Sequence, residues 1–341
     1  MPTTTRVLAS ATAAATALLL AACGSSGDDE AAAADGVSVE AAFYPLQWAA
    51  QRVGGDRVDV SSLTPPGAEP HDLELTPQDV ASLSDADLVV YLEGFQPALD
   101  DAVVEAGDAA WDAGAAAGLS LTTTEEHGHE DEEEHAEGEE EHAEGEEEHA
   151  EGEEEHAEGE EEHAEGEEVT DPHFWLDPTR LADVGDALAD RLAEVDPDGA
   201  DTYRDNAAAL RTDLEALDAE MEQGLADCAV PTLVTSHDAF GYLAERYGLD
   251  VVGISGLSPS SEPSPAQLAE ISSLVQERGV TTVYTETLVD PAVAETVARE
   301  AGVQTAVLDP IEGLTDESAG DDYLAVMRAD LATLQEGQGC A

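Results

Sequence analysis

The sequence predicts an α/β fold of two lobes with mostly parallel sheets, joined by one long rigid helix. Strand-like apolar runs alternate with helical patterns in residues 37–196 and again in residues 227–341. Such alternation produces a parallel sheet with helices on both faces. Between the two regions, residues 197–226 carry apolar side chains at helical spacing, with no Gly or Pro from Ala200 until Gly224. At about 1.5 Å per residue this helix would span roughly 40 Å, enough for a strut between lobes.

The N-terminal lobe, residues 37–196, begins with alternating strands and helices. We predict, in order, a strand at VSVEAAF, a helix at PLQWAAQRVG, a strand at RVDVSSL and a buried strand at ADLVVYLEG. A further helix starts before the last strand, because Thr76 suits the N-cap, Pro77 the first helical position and Asp79 the third. Later, VTDPHFWLDP is typical of a proline-bounded turn, and a helix follows to about Ala193.

The C-terminal lobe, residues 227–341, repeats the same alternation. The predicted strands are PTLVT, DVVGIS, VTTVYTE and VQTAVLD. The predicted helices are HDAFGYLAERYG, SPAQLAEISSLVQERG, PAVAETVAREAG and DDYLAVMRADLATLQEG. Because each strand is followed by a helix, we expect a second mostly parallel sheet.

The charge balance excludes two classes of partner. The 341 residues include 79 Asp and Glu but only 11 Lys and Arg, all of them Arg, and the formal charge is −68. A nucleic-acid binder is excluded, because phosphate neutralisation needs clustered cations and the Arg do not cluster. Docking on anionic lipid through a polybasic face is excluded for the same reason. The hydrophobic content of 42% is sufficient for folded cores.

An acidic, His-rich insert interrupts the N-terminal lobe at residues 122–168. Glu125 to Glu168 contains 26 of the acidic residues, and the repeat HAEGEEE recurs with a period of seven. A coiled coil is excluded, since the repeat has no apolar pair and carries a Gly each time, so we predict a disordered loop. The loop is either a polar spacer or a weak multivalent collector of metal ions such as Zn²⁺. We favour the collector, because every period has an imidazole. Its histidines are His127, His129, His135, His142, His149, His156 and His163.

The N-terminus is predicted to be an export signal. Residues 1–22 contain an Ala- and Leu-rich segment that is too short to be a convincing membrane-spanning helix. The segment ends in Leu20-Ala21-Ala22-Cys23, which resembles a bacterial lipobox, and residues 23–36 are typical of a flexible tether. We therefore expect an exported protein, lipid-anchored through Cys23 on the outer face of the cell membrane. The alternative is an ordinary cleaved signal with a chance cysteine.

The two remaining cysteines are Cys228 and Cys340. Two cysteines in an exported domain pair more often than they remain free, so we predict a disulfide between them. The bridge would fix the last helix to the segment before a strand. A role as metal ligands is disfavoured, because neither has a second Cys or His nearby.

Three histidines lie outside the insert, and none is predicted within a strand or in the middle of a helix. His71 follows the RVDVSSL strand, His237 follows PTLVT, and His173 lies in the proline-bounded turn. Ligands of open α/β folds bind beyond the carboxyl ends of strands, so these positions indicate a shared site. A lone histidine is more often a structural residue, but three in equivalent positions favour metal binding.

Carboxylates are predicted near the same site. Asp309 and Glu312 follow the VQTAVLD strand, and Glu286 ends the strand before it. Three neutral imidazoles and one carboxylate form a tetrahedral set that suits Zn²⁺, whereas Mn²⁺ favours more oxygen donors. Hydrogen-bond acceptors that fix the imidazole tautomers are also needed, and Glu286, Asp72 and Asp238 are candidates by proximity.

Five motifs in order resemble those of the metal-binding lipoproteins of ABC importers, the zinc/manganese cluster of solute-binding proteins. They are EPHDLELTPQD, DPHFWLDP, TSHDAFGYLAERYGL, YTET and LDPIEGL, and the resemblance runs from about Val37 to Cys340. It implies a metal site between two lobes, with His71 and His173 from the N-lobe and His237 from the C-lobe. Manganese-specific relatives can have Glu at the His237 position, so the resemblance favours zinc, of the zinc-uptake type.

The resemblance leaves the fourth ligand open. Family members use an acidic residue of the last loop or leave the position to water. We predict Glu312, because it lies further into the loop, with Asp309 as the alternative and Glu286 in a hydrogen-bonding role.

We therefore expect a monomeric extracytoplasmic protein that binds Zn²⁺ and delivers it to an ABC importer permease, without catalysis. The alternatives are a manganese-binding member of the family, a zinc-dependent hydrolase and a surface adhesin. The hydrolase is disfavoured because the sequence has no HExxH motif, and it would need an open water position on the metal.

Overall fold

The computed structural model describes residues 36–125 and 167–341. Its N-terminal sheet is formed by β1 (Val37–Ala41), β2 (Val58–Ser62), β3 (Leu88–Tyr91) and β4 (Ala110–Asp112). The strands are parallel and lie in the order β2-β1-β3-β4. The helices between them are α1 (Tyr44–Gly54), α2 (Pro77–Asp85) and α3 (Pro97–Ala102), and α4 (Gly114–Ala117) follows β4. The start of α2 is the predicted one: the Thr76 hydroxyl accepts from Asp79 N, and the Asp79 carboxylate accepts from Thr76 N.

Two long helices follow the insert and connect the lobes. They are α5 (Pro178–Val195) and α6 (Ala200–Leu225). The 26 residues of α6 extend about 39 Å, and the helix contacts α5 and α1 in the N-lobe and the last helix of the C-lobe. Its buried residues recur every three or four positions, as the sequence pattern predicts: Tyr203, Ala207, Leu210, Leu214, Leu217, Met221 and Leu225.

The C-terminal sheet is built in the same way. Its strands are β7 (Thr232–Thr235), β8 (Asp250–Gly253), β9 (Thr282–Thr285) and β10 (Gln304–Val307), all parallel, in the order β10-β9-β7-β8. Its helices are α7 (Gly241–Tyr247), α8 (Pro265–Glu277), α9 (Ala292–Ala301) and α10 (Tyr323–Gln338). Strand order and parallel pairing confirm the α/β class with two sheets.

One hydrophobic core runs through both lobes. It includes Phe43 and Trp175 from the N-lobe together with Tyr284 and Met327 from the C-lobe, and a smaller core lies around Val283. The core also includes Leu73, Leu308 and Ile311, which lie in the loops described below.

The ends of the insert differ from the sequence prediction. Thr122–Glu125 forms strand β5 and Glu167–Thr170 forms strand β6, and the two pair antiparallel. The prediction of one disordered loop over 122–168 is therefore corrected at both ends. Thr122, Thr123 and Val169 are β-branched residues, which favour strands. The rest of the insert lies outside the described residues.

The predicted disulfide joins Cys228 and Cys340. It connects the residues after α10 to the segment that leads into β7, next to a backbone hydrogen bond from Val230 to Gln338 at 3.1 Å. No helix within 36–125 or 167–341 is both long enough and apolar enough to span a bilayer.

Candidate metal centre

His71 is presented by the loop between β2 and α2. Its backbone N–H donates to the Glu69 carboxylate at 3.0 Å. Gln96 fixes this loop, because its side-chain amide donates to the Thr64 hydroxyl and to the Pro70 carbonyl, both at 3.0 Å. The imidazole lies edge-on against the Phe95 ring, and the side chain remains 9% exposed. His71 is thus the ligand candidate nearest to solvent.

His173 is fully buried and lies directly after β6. One oxygen of the Asp171 carboxylate accepts from the His173 backbone N–H at 2.9 Å and from Nδ1 at 2.8 Å. Because an ionised carboxylate can only accept, Nδ1 carries the proton and the Nε2 lone pair is free to bind a metal. The Trp175 ring packs against the imidazole, with the ring centroids 5.3 Å apart.

His237 is buried in the turn after β7, and its surroundings repeat those of His173. Glu286, at the end of β9, accepts from the His237 backbone N–H at 3.1 Å and from Nδ1 at 2.8 Å. The same tautomer follows, with Nε2 directed away from the carboxylate. This is the orienting role expected for Glu286.

Glu312 completes the set from the loop after β10. Its Oε1 lies 3.2 Å from Nε2 of His173, 3.2 Å from Nε2 of His237 and 3.4 Å from Nε2 of His71. The side chain is fully buried. A single carboxylate oxygen therefore faces three imidazole nitrogens.

Five of the six distances among the four atoms match the edges of a metal tetrahedron. His173 Nε2 lies 3.4 Å from Nε2 of both His71 and His237, and all four ligand atoms lie within 4.8 Å of one another. Bonds of about 2.0–2.1 Å to a tetrahedral Zn²⁺ would place neighbouring ligands roughly 3.3–3.4 Å apart. The four side chains thus have the number and chemistry of a four-coordinate zinc site, with spacing that is compatible with one.

The electrostatics of the cluster raise the pKa of two imidazoles and lower the pKa of Glu312. Burial favours neutral His173 and His237, but carboxylates outweigh it: Asp171 and Glu312 raise the pKa of His173, and Glu286 and Glu312 raise the pKa of His237 well above its ordinary value. Burial also opposes ionisation of Glu312, yet the three imidazoles hold its pKa well below the usual range.

His71 and Glu69 behave differently from the other groups in the cluster. Burial lowers the pKa of His71 in spite of the nearby Glu312 carboxylate. Burial and the Glu312 charge raise the pKa of Glu69 to about 8, so Glu69 is mostly neutral at pH 7.

The structure brings together His71, His173, His237 and Glu312, the four ligands predicted from the sequence. Asp309 lies outside this set, and its carboxylate accepts hydrogen bonds from its own loop and from neighbouring loops. Two other expectations were wrong. Asp72 accepts from the Ser260 hydroxyl rather than from an imidazole, and Asp238 makes no hydrogen bond to an imidazole within the described residues.

Sequence reasoning missed Asp171 and Glu69, although a signal was present. Both lie two residues before a ligand histidine with a proline between them, in Glu69-Pro70-His71 and Asp171-Pro172-His173. In both cases the carboxylate accepts from the backbone N–H of the histidine. The seven histidines predicted to collect metal, His127 to His163, and the predicted lipidation site Cys23 lie outside the described residues.

The structure has two open α/β lobes on a shared core. A buried set of three imidazoles and one carboxylate lies where the loops of the lobes meet. These features define a two-lobed solute-binding protein with a candidate metal site. The family model described as zinc-uptake complex component A, periplasmic, matches residues 39–337. The chain belongs to this family.

Individual relatives agree with this assignment. The chain is 36% identical over 318 residues to the zinc-binding lipoprotein AdcA of Streptococcus pneumoniae, covering 89% of this chain but 56% of AdcA. It therefore spans about half the length of that relative. It is 34% identical over 308 residues to the high-affinity zinc uptake system protein ZnuA of Bacillus subtilis, covering 89% of this chain and 88% of ZnuA.

Solved structures show the same fold. The laminin-binding protein Lmb of Streptococcus agalactiae, described as having adhesin and metal-transporting activity, matches with a TM-score of 0.71 and 30% identity, over 89% of this chain and all of that chain. The Zn(II)-bound ZnuA-like domain of Streptococcus pneumoniae AdcA matches with a TM-score of 0.65 and 31% identity, over 89% and 99% of the two chains.

Proposed function

We propose that this protein is an extracytoplasmic zinc-binding protein that captures Zn²⁺ and delivers it to the permease of an ABC importer. The ligands are His71, His173, His237 and Glu312. The observation that carries the proposal is the spacing of their four ligand atoms, which lie 3.2–3.4 Å apart in five of the six pairs and within 4.8 Å in the sixth. Family membership supports it, as do two relatives whose names describe zinc binding and zinc uptake.

The ligand chemistry favours zinc over manganese. Three imidazoles and one carboxylate suit a four-coordinate borderline ion, whereas Mn²⁺ prefers carboxylate, carbonyl and water oxygens. Asp171 and Glu286 strengthen this preference, because each fixes one imidazole with Nε2 free and makes it a better donor.

The same geometry disfavours a hydrolase. A catalytic zinc keeps one coordination position open for water, and three protein ligands fill the others. Here Glu312 Oε1 lies at the fourth corner, within 3.4 Å of all three Nε2 atoms. The arrangement therefore supports capture of the ion rather than activation of water.

Zinc capture exchanges hydration water for protein ligands and displaces protons. Because neighbouring carboxylates raise the pKa of His173 and of His237, protons compete with Zn²⁺ for these two imidazoles. His71 has a lowered pKa, and its side chain is the nearest of the four to solvent, so protons compete less for it than for the two deeper imidazoles. We infer that the ion first meets His71 and then the three deeper ligands.

We further propose that the protein is monomeric and anchored through a lipidated Cys23 on the outer face of the membrane. The lipobox-like Leu20-Ala21-Ala22-Cys23 supports anchoring, as do the lipoprotein name of AdcA and the periplasmic description of the family. The His-rich insert would collect Zn²⁺ near the site, and unchanged uptake at limiting zinc after its deletion would count against this role.

The metal site is tested by purifying the protein without chelator, measuring its metal content, and comparing Zn²⁺ and Mn²⁺ affinities by competition. We expect one tightly bound Zn²⁺ per chain and weaker binding of Mn²⁺. His237→Ala should abolish tight binding, while Asp290→Ala, on an exposed turn, should leave it intact. Preference for Mn²⁺, or tight Zn²⁺ binding by His237→Ala, would contradict the proposal.

A further inference from the structure

The backbone just before Glu312 has an unusual conformation. Within the described residues, Ile311 is the one non-glycine residue with a positive φ, at 58°. A β-branched residue rarely adopts the left-handed region, so other contacts must hold it there. Ile311 is fully buried, and the residue after it is Glu312, whose carboxylate faces the three imidazoles. The conformation at Ile311 therefore sets the direction in which the Glu312 side chain leaves the backbone.

The Asp309 carboxylate holds this conformation from within the loop. One of its oxygens accepts from the Ile311 N–H at 2.8 Å. The other accepts from the Thr287 hydroxyl and from the Ser318 hydroxyl, both at 3.2 Å. Asp309 is 2% exposed, so these donors replace water as its hydrogen-bond partners.

These contacts link two loops of the C-lobe that contribute to the cluster. Thr287 is the neighbour of Glu286, the carboxylate that orients His237. Asp309 thus ties the Glu312 loop to the loop that fixes His237. The backbone on either side is anchored as well, because Asp309 N–H donates to Asp330 at 3.0 Å and the Trp175 indole donates to the Pro310 carbonyl at 2.7 Å.

We infer that Asp309 is a positioning residue: its carboxylate keeps Ile311 left-handed and thereby aims the Glu312 carboxylate at the three imidazoles, without binding the metal itself. The inference rests on the proposed zinc function. The alternative to the positioning role is that an oxygen of the Asp309 carboxylate binds the metal directly. The hydrogen bonds to both Asp309 oxygens, and its position outside the group of four ligands, favour the positioning role.

The two roles make opposite predictions for the isosteric variant Asp309→Asn. An asparagine oxygen can still accept from Ile311 N–H, and its amide can donate to the Thr287 and Ser318 hydroxyls, so the loop is retained. A neutral amide is a much poorer metal ligand than a carboxylate. We expect Zn²⁺ affinity within about threefold of wild type for Asp309→Asn, but a loss of ~10- to 100-fold for Asp309→Ala.

A double-mutant cycle with Ile311→Gly tests the mechanism. Glycine adopts positive φ without steric cost, so the loop no longer needs Asp309 to hold it there. The loss of affinity caused by Asp309→Ala should therefore be smaller in the Ile311→Gly background than in wild type. Thr287→Val removes one hydrogen-bond donor to Asp309 without changing Asp309 itself, and it should weaken Zn²⁺ binding by a few-fold. This variant keeps the test possible if Asp309→Ala does not fold.

Asp290→Ala is the matched control. The Asp290 carboxylate accepts from the backbone N–H of Ala292, two residues further on, at 2.9 Å, which is the same pattern as in Asp309 and Ile311. Asp290, however, lies on an exposed turn. Its removal should leave the affinity unchanged. Affinities are measured by competition with a chromogenic zinc chelator, with His237→Ala alongside.

Each outcome decides the inference. Equal losses for Asp309→Asn and Asp309→Ala would overturn it and identify Asp309 as a ligand. Wild-type affinity for Asp309→Ala, or the same loss in both Ile311 backgrounds, would also overturn it. If His237→Ala binds Zn²⁺ as tightly as wild type, the proposed zinc site itself fails, whatever the Asp309 variants do.

Discussion

Replacing Asp171 with alanine should weaken zinc binding while leaving all four ligands in place. The Asp171 carboxylate is 5% exposed and holds His173 through both its backbone N–H and Nδ1. Without it, the imidazole loses the acceptor that fixes its tautomer and its orientation. Loss of such a partner typically costs about 10- to 100-fold in metal affinity, which is about 1.4–2.8 kcal/mol.

Asp177→Ala provides a control for general effects on folding. Asp177 is 6% exposed and caps α5 by accepting from Thr179 N–H at 2.9 Å, the same two-residue geometry as in Asp171. Its loss should cost about 1 kcal/mol of unfolding free energy, and loss of Asp171 about 1–3 kcal/mol. Only Asp171→Ala should change the affinity for zinc.

The assay is chelator competition at pH 7.5, combined with thermal unfolding of the metal-free protein. The reasoning would be refuted if Asp171→Ala bound Zn²⁺ within about twofold of wild type while His173→Ala lost binding. It would also be refuted if Asp177→Ala lost affinity to the same extent, since destabilisation alone would then explain both variants.

Three further predictions concern pH, the insert and the disulfide. Because protons on His173 and His237 compete with zinc, the affinity for Zn²⁺ should fall as pH is lowered. The fall should begin above the ordinary imidazole pKa of about 6.5, since the pKa of both residues is raised. An affinity that does not change between pH 8 and 6 would contradict this. Deleting residues 126–166 while keeping β5 and β6 should preserve the tight site and reduce the number of weakly bound Zn²⁺, measured by calorimetry. Cys340→Ser should lower the free energy of unfolding by about 2–5 kcal/mol with unchanged zinc affinity, checked by denaturant titration.

Much of the fold could be predicted because its signals are local. The helical spacing of apolar residues placed α6 to within a residue of its end at Leu225, and Thr76, Pro77 and Asp79 marked the start of α2. The pairing of β5 with β6 could not be found in this way. Its partners, such as Thr122 and Thr170, are separated by the whole insert, and a four-residue strand carries little pattern of its own.

The structure brings the four predicted ligand candidates together, but the partners that hold them could not be predicted from the sequence. The position of a histidine after a strand follows from the order of elements, whereas the direction of a carboxylate depends on tertiary contacts. Asp72 is adjacent to His71, yet it bonds Ser260 of the other lobe. Glu286 is 49 residues from His237, yet it orients that imidazole. Sequence proximity was therefore a poor guide to hydrogen-bond partners.

The buried cluster has a charge balance that suits reversible binding of a dication. Asp171, Glu286 and Glu312 contribute three carboxylates around His71, His173 and His237. These carboxylates raise the pKa of His173 and of His237, which favours imidazolium beside them. A bound Zn²⁺ would supply positive charge in place of those protons, so in neither case would the carboxylates be buried without a positive partner. Burial would penalise such an uncompensated charge heavily. The carboxylates that orient the imidazoles are thus also the groups that make the cluster suit either imidazole protons or a dication.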